Sequence, residues 1–219
     1  MNKLNKIVLS IIFSLFLIES VLGGEIVDDT LQSIKIGDIR GIADGLQRGL
    51  DVNFADESGN TLLMLAARSG SPDAVSLLIG AGAKVYLRNI FGDTALLMAT
   101  YLGHEKIVDI LLRSGAEIGK NSKGWTPLHY ASFAGHKNLV NKLIELGINV
   151  NSTTDNGLTP LMVASMNGHI NVVKILLRNN AKIQMFDDNN KNALMHALSR
   201  KNTDIAALLS EAQTTKSLK

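Results

Sequence analysis

Residues 126–136 read TPLHYASFAGH, and residues 159–169 repeat the pattern as TPLMVASMNGH. Glycines mark the same period elsewhere in the chain, with successive spacings of 33, 32 and 33 residues. These glycines are Gly59, Gly92, Gly124 and Gly157, and Asn190 holds the next equivalent place. A second glycine series runs in phase with the first, so the chain is predicted to be a repeat protein built from one recurring unit.

Within one period the apolar residues follow helical spacing twice. In the unit that begins at Gly124, Leu128 belongs to a short first helix and Leu143 to a second helix, with a tight turn between them. Thr126 is a good N-cap because its hydroxyl can accept a hydrogen bond from an otherwise unpaired amide. Pro127 follows, at a position where a missing N–H costs nothing. Each unit is therefore predicted to be helix, turn, helix.

The chain resembles the ankyrin repeat proteins, whose signature is T-P-L-H-x-A, then G-H, then a V-x-x-L-L helix and G-A-x-x-N. Two further stretches match it: TALLMATYLGHEKIVDILLRSGAEI at 94–118 and TLLMLAARSGSPDAVSLLIGAGAKV at 61–85. The resemblance covers about residues 28–212. It implies an all-α ankyrin repeat solenoid of stacked helix-turn-helix units with β-hairpin loops.

The repeat domain is predicted to span residues 24–213 and to contain six units. Four full repeats, at 59–91, 92–123, 124–156 and 157–189, lie between degenerate caps at 28–58 and 190–213. The first cap has Gly45 where leucine is expected, and the last lacks both the Gly-His pair and the closing glycine. Terminal repeats have one neighbour instead of two, which explains such departures. Residues 214–219 are predicted to be a disordered tail.

Residues 1–23 have the order of a secretory signal peptide. Lys3 and Lys6 precede the apolar run Ile7–Ile18, and a small-residue segment ends at Gly24. Gly23 is the expected last residue of the signal, and Gly24 is the alternative. The alternative is an uncleaved membrane anchor, but a spanning helix needs about 20 apolar residues and this run meets Glu19 after twelve. The mature protein is therefore expected to be exported, periplasmic or secreted, with no membrane association after signal cleavage. The chain has no cysteine that could carry a lipid anchor.

Charge argues against nucleic acid as a partner. The 22 basic and 20 acidic residues give a net charge of +2. Such near balance does not build the basic stripe that tracks phosphates.

The five histidines are the main candidates for catalysis or metal binding. His104, His136 and His169 recur in the Gly-His slot, so we interpret them as structural. Helices packed about 10 Å apart place such side chains too far from one another to share a zinc ion, whose ligands lie about 2 Å from the metal. The alternative is a histidine-dependent enzyme or metal protein that uses His129, His136 and His196.

His129 belongs to T-P-L-H, but the other units carry methionine or leucine in its place, so its hydrogen bonding is predicted to be dispensable. Nucleophilic catalysis is not expected, since the chain has no cysteine and no G-x-S-x-G motif. No catalytic residue, cofactor or metal ligand is therefore predicted.

The resemblance implies that a partner protein binds at the loop fingertips and on the concave face made by the first helices. Apolar and aromatic residues occupy these positions in the middle units, and an exposed patch of this kind favours a binding role. The predicted partner-binding residues are Ile90, Phe91, Met98, Tyr101, Leu102, Trp125, Tyr130, Phe133, Val163 and Met166. The alternative is that these side chains are half-buried scaffold.

One residue is missing between Gly115 and Gly124, relative to the other units. We expect this deletion to displace Trp125 from the regular row of fingertips. The function predicted from the sequence is a monomeric, non-catalytic module that binds another protein, to hold, chaperone or inhibit an envelope enzyme or toxin. A secreted effector that binds a host protein is the alternative.

Overall fold

The computed structural model describes residues 24–217, so the predicted signal peptide, 1–23, lies outside the described residues. The described chain forms twelve helices in six helix-turn-helix units, as predicted. The helices are α1 (24–36), α2 (Ile39–Gln47), α3 (Leu62–Ser69), α4 (Pro72–Gly80), α5 (Ala95–Leu102), α6 (Glu105–Arg113), α7 (Pro127–Ala134), α8 (Lys137–Glu145), α9 (Pro160–Met166), α10 (Ile170–Arg178), α11 (Ala193–Ser199) and α12 (Thr203–Ser217). No helix within this range is long and apolar enough to cross a membrane.

Side-chain caps begin the first helices of the units. The Thr126 hydroxyl accepts a hydrogen bond from the His129 amide at 3.4 Å, and Pro127 occupies the first turn. The other first helices with this cap begin after Thr61, Thr94, Thr159 and Asn192. Asn180 and Asn190 adopt left-handed backbone at places where other units have glycine. The two periodic series therefore continue through asparagine into the last unit.

The helices stack in two rows. First helices pack on first helices, as in α5 with α7 and α7 with α9, and second helices pack on second helices, as in α4 with α6. Leu128, Val140 and Leu143 are fully buried between the rows, and the apolar core runs without a break from Ile34 to Leu209. Burying each leucine contributes about 1.5 to 3 kcal/mol, so packing between units is the main source of stability.

The loops between units are tight turns and not regular hairpins. Their antiparallel pairing amounts to one isolated bridge, Ala55 with Thr61, in the part of the chain that is described. In the turn that begins at Asn121, the side-chain Oδ1 accepts hydrogen bonds from the Lys123 and Trp125 amides at 2.9 and 3.0 Å. Such a side chain fixes the turn from within, which replaces the strand pairing that a hairpin would need.

The deletion before Gly124 does not displace Trp125, so that expectation is wrong. The turn keeps its usual bonds, with the Asn121 amide donating to the Trp125 carbonyl at 3.0 Å. Its tip also keeps its place in the ladder between units, since the Ser122 amide donates to the Phe91 carbonyl at 3.2 Å. The missing residue is absorbed in the connection between Gly115 and Asn121, upstream of the turn.

The first cap departs from the pattern because α1 and α2 approach closely. A Cβ at Gly45 would overlap the buried Thr30 side chain, which leaves no room for the leucine that the pattern expects. In the last unit Asn202 replaces the histidine of the Gly-His pair. Its Nδ2 donates to the carbonyls of Ser165 and Met166 at 2.8 and 3.1 Å, so the contact with the preceding unit is kept.

The tail prediction is corrected by α12, which continues to Ser217. Residues 214–217 are helical, while 218–219 lie outside the described residues. No glycine or proline interrupts the sequence after Leu209, and Ala212 still packs against the core. The helix therefore extends one turn beyond the predicted end of the domain.

Candidate functional site

Four aromatic rings from two neighbouring units meet on the face formed by the first helices. Tyr101 lies on α5, Tyr130 and Phe133 lie on α7, and Trp125 lies in the turn before α7. Ring centroids are 5.8 Å apart for Tyr101 and Tyr130, 6.0 Å for Tyr101 and Phe133, 5.2 Å for Trp125 and Tyr130, and 5.8 Å for Trp125 and Phe133. We call these four residues the aromatic cluster. Their tilted and edge-on geometries are those that aromatic pairs favour.

The aromatic cluster borders an open pocket of about 370 Å³. The residues that line it are Phe91, Asp93, Tyr101, Asn121, Lys123, Trp125, Tyr130 and Phe133. Phe91 is 54% exposed, Tyr101 42% and Phe133 37%, whereas Trp125 and Tyr130 are half-buried. Five of the predicted partner-binding residues thus share one accessible surface.

Three hydrogen-bonded side chains, Asp93, Asn121 and Tyr130, form one wall of the pocket. The Tyr130 hydroxyl donates to Asp93 Oδ1 at 2.9 Å, and Asn121 Nδ2 donates to the same oxygen at 3.0 Å. Asn121 Nδ2 is also 3.0 Å from the Tyr130 hydroxyl oxygen. Because the Asn121 Oδ1 is held by the amides of its own turn, the whole group is anchored to the backbone.

Burial raises the pKa of Tyr130, and the hydrogen bond and negative charge of Asp93 raise it further. The phenol is therefore a neutral donor over the physiological pH range. It keeps Asp93 Oδ1 occupied and leaves the second carboxylate oxygen, Oδ2, outside these bonds.

Sequence reasoning missed Asp93, Asn121 and Lys123, because it ranked only apolar residues. The repeat period did indicate at least Asp93 as a residue near the cluster. Asp93 directly follows Gly92 just as Trp125 directly follows Gly124, so the two residues occupy the same fingertip slot in adjacent units. Asn121 opens its turn in the place that Asn89 holds one unit earlier.

The other predicted residues do not line the pocket. Ile90 and Leu102 are exposed, and Met98 and Met166 are half-buried, with Met98 packed against the core. Val163 is only 2% exposed, so its assignment to the binding surface is wrong. It occupies the place of Tyr130 in the next unit, but α9 lies between α7 and α11 and the short valine side chain does not reach past them.

The histidines of the Gly-His pairs join successive units. His136 Nε2 donates to the Tyr101 carbonyl at 2.9 Å, and His169 Nε2 donates to the Phe133 carbonyl at 2.8 Å. These carbonyls belong to two residues of the aromatic cluster. The imidazoles thus position the backbone that carries the exposed rings.

His129 is buried with both ring nitrogens bonded. Nε2 donates to the Leu158 carbonyl of the next unit at 3.0 Å, and Nδ1 accepts from the Thr126 hydroxyl at 2.8 Å and the Thr126 amide at 3.3 Å. Burial lowers the pKa of His129 to about 4, so the ring is neutral. A neutral, fully bonded imidazole of this kind serves the scaffold.

The imidazole is dispensable in other units, as expected: α5 has Leu97, which has no acceptor, in this place, and two units have a methionine sulfur there. Met64 Sδ accepts the Thr61 amide at 3.4 Å, and Met162 Sδ accepts the Thr159 amide at 3.4 Å. Thioether sulfur is a weak acceptor, but it reaches the same amide that the imidazole reaches. The helix start is thus capped by a side chain of either type.

His196 does not reach the pocket. It is nearly buried, and its Nε2 contacts Asp187 Oδ2 at 2.8 Å. Burial alone would raise the pKa of Asp187, but hydrogen bonds from the Lys191 amide and from His196 lower it overall. Over residues 24–217 no three histidine, aspartate or glutamate side chains lie close enough to hold a metal ion.

Comparison with known proteins agrees with this architecture. The family model described as ankyrin repeats (3 copies) matches residues 63–154 and 147–218, which together extend over more than half of the 219-residue chain. No curated protein matches. The matched region begins within α3 and takes in every later unit, and we conclude that the chain belongs to the ankyrin repeat family, whose members serve as protein–protein interaction modules.

Proposed function

We propose that the protein is an exported, non-catalytic module that binds a partner protein through the aromatic cluster and the fingertips around it. The observation that carries this proposal is the exposure of aromatic rings that the stack does not require. Two units earlier, Leu65 and Arg68 stand where Tyr130 and Phe133 stand, and α3 is formed and packed all the same. Side chains that the scaffold does not need, grouped on one exposed surface, favour binding.

Binding energy would come mainly from covering these rings. Apolar surface contributes roughly 25 cal/mol per Å² removed from water, before the costs of association and ordering are subtracted. Tyrosine and tryptophan are enriched among residues that dominate such energies. The anchored hydrogen bonds of Asp93 and Asn121 keep part of the surface in place before a partner arrives, which lowers the ordering cost.

Export rests on the sequence of residues 1–23, with Lys3 and Lys6 before an apolar run that is too short to span a membrane. In the periplasm such a module would hold, chaperone or inhibit an envelope enzyme or toxin. Cell fractionation tests the proposed location of the protein. Mature protein in the periplasmic fraction is the expected result, and accumulation in the medium would favour the secreted effector instead.

Site-directed photo-crosslinking in intact cells tests the binding surface. A photoreactive amino acid at Phe133 should give a discrete adduct with one partner. The matched control carries it at Leu146, which is also apolar and exposed but follows the second helix of the same unit. Equal adducts from both positions, or adducts from Leu146 alone, would contradict the proposal.

The double variant Tyr130→Ala, Phe133→Ala tests the same surface by affinity. It should keep the helical circular dichroism spectrum and weaken capture of the crosslinked partner by about 2 kcal/mol or more, the scale of hot-spot residues. If the variant unfolds, the two side chains belong to the core. In that case the assignment of the site is wrong.

A further inference from the structure

We infer that the pocket beside the aromatic cluster receives a cationic side chain, lysine or arginine, from the partner protein. This inference rests on the proposed function, because it specifies what the partner inserts. It follows from the kind of groups that converge on the pocket, which include four aromatic rings of the cluster and one immobilised carboxylate.

Aromatic rings favour a cation over a neutral apolar group. A lysine ammonium or arginine guanidinium within about 6 Å of a ring centroid is attracted by the negative face of the ring, and tryptophan gives the strongest attraction. Trp125, Tyr101, Tyr130 and Phe133 all line the same space. A side chain that entered it would meet several rings at once and lose part of its water, a condition that strengthens the attraction.

The Asp93 carboxylate adds a full negative charge in a fixed position. Its Oδ1 is held by Tyr130 and Asn121, so the group cannot rotate away without breaking two hydrogen bonds. Its Oδ2 takes part in neither bond and is the acceptor available to an entering N–H group. A charge-assisted hydrogen bond of this type is stronger than one between neutral groups.

Lys123 is the one other charged residue that lines the pocket, and it opposes a cation. It is exposed at the tip of its turn, and it takes part in no salt bridge among the residues described. An exposed lysine keeps its flexible stem and its hydration, so its charge is screened by solvent. We therefore expect the anchored carboxylate to decide the sign of the ligand.

The pocket is large enough to admit a lysine or arginine side chain. Its volume of about 370 Å³ is near the lower end of the roughly 300 to 1,000 Å³ of ligand pockets. The pocket is open to solvent at the fingertips, where the rest of a partner protein could cover Phe91. A protruding lysine or arginine, and not a whole helix, is the group that would enter.

The single tryptophan makes this testable without knowing the partner, because Trp125 is the chain's one indole and lines the pocket. Blocked pentapeptides, with one variable residue between glycines, are titrated against the full chain up to about 10 mM. Fluorescence and the indole N–H resonance report binding. The variable residues are arginine, citrulline, lysine, norleucine and glutamate, so that each cation has a neutral partner of similar shape.

The arginine and lysine peptides should bind at least about fivefold more tightly than the citrulline and norleucine peptides. Asp93→Asn keeps an oxygen that can accept from Tyr130 and removes the charge, and it should weaken this preference to the part that the rings contribute. Lys123→Ala should leave the preference in place or increase it. Asp188→Asn, a loss of charge at a fingertip two units away, is the control and should change nothing.

Three results would overturn the inference: equal binding of arginine and citrulline peptides, stronger binding of the glutamate peptide, or no effect of any peptide on Trp125. The proposed function fails separately. If Phe133 captures a partner in cells and Asp93→Asn leaves that capture intact, the interaction module stands and the cationic ligand is wrong. If Phe133 captures nothing, the binding surface itself is wrong.

Discussion

At the scale of single residues, His129 is the most informative side chain of the scaffold. Its Nδ1 caps the start of α7 and its Nε2 bonds to the Leu158 carbonyl, so one ring joins a helix start to the next unit. The cap requires the neutral form, because a protonated Nδ1 could not accept from Thr126, whereas Nε2 can donate to the Leu158 carbonyl in either form. Burial enforces that form by lowering the pKa of His129 to about 4.

The free energy of unfolding should therefore depend on pH through His129. Its pKa is about 4 when folded and near 6.5 when unfolded, so between these values the unfolded chain takes up a proton that the folded chain does not. The stability from this group is full above pH 6.5 and falls by about 3 kcal/mol as the pH drops to 4. Urea unfolding at both ends of this window measures the change.

His129→Met is the matched variant, because Met64 and Met162 already cap the equivalent helices. It should be less stable than the parent near neutral pH, since the bond to Leu158 is lost. The difference in free energy of unfolding between parent and variant should decrease as the pH falls towards 4. If the free energy of unfolding changes with pH equally in parent and variant, His129 does not titrate in this way.

At the scale of helices and turns, each tight turn is shaped by the unit that follows it. Gly103 has φ of 79°, and a Cβ added there would lie 2.6 Å from Cε1 of His136, which packs against the glycine. Gly115 has a similar φ of 83°, but a Cβ there would meet nothing within 4 Å. The two positions therefore separate backbone strain from contact between units.

Alanine substitutions at these glycines should differ in cost. Gly115→Ala carries only the strain of left-handed backbone, about 1 kcal/mol. Gly103→Ala must also move the His136 ring and weaken its bond to the Tyr101 carbonyl, which adds about 1 to 2 kcal/mol. Urea denaturation of both variants measures the difference. If both variants lose the same free energy of unfolding, the His136 ring moves aside freely. In that case, adding His136→Ala to Gly103→Ala should not recover any stability.

At the scale of the whole molecule, the main contacts between units join neighbours in the stack, within the part of the chain that the structure describes. Stability in such an array is close to a sum of unit and interface contributions, and damage stays local. Leu143 lies in the middle of the stack and Leu209 in the last helix, and both are fully buried. They are therefore a matched pair for testing how far a defect spreads.

Leu143→Ala and Leu209→Ala should each cost about 2 to 5 kcal/mol, as core truncations do. Hydrogen exchange should show how many units each substitution destabilises. Leu209→Ala should speed exchange mainly in α11 and α12, whereas Leu143→Ala should do so in the units on both sides of α8. Uniform acceleration along the chain in both variants would show that the array unfolds as one block.

The sequence by itself determined the period, the six helix pairs, the threonine caps and the use of aromatic residues on one face. These features depend on residues that are close in sequence, because capping, turn preference and helical spacing act over a few positions. Repetition makes such local patterns easy to recognise. The grouping of Tyr101, Tyr130 and Phe133 was also predictable, since each occupies a defined slot in adjacent units, whereas the missing residue led to the wrong expectation for Trp125.

Only the tertiary structure decided what those rings surround. Asp93 and Tyr130 are 37 positions apart and Asn121 and Asp93 are 28 apart, so their hydrogen bonds exist only because stacking brings two turns together. The same spacing between units buries Val163 and keeps Trp125 in register despite a missing residue. The carboxylate beside the rings depends on the distance between successive units, which no single stretch of sequence encodes.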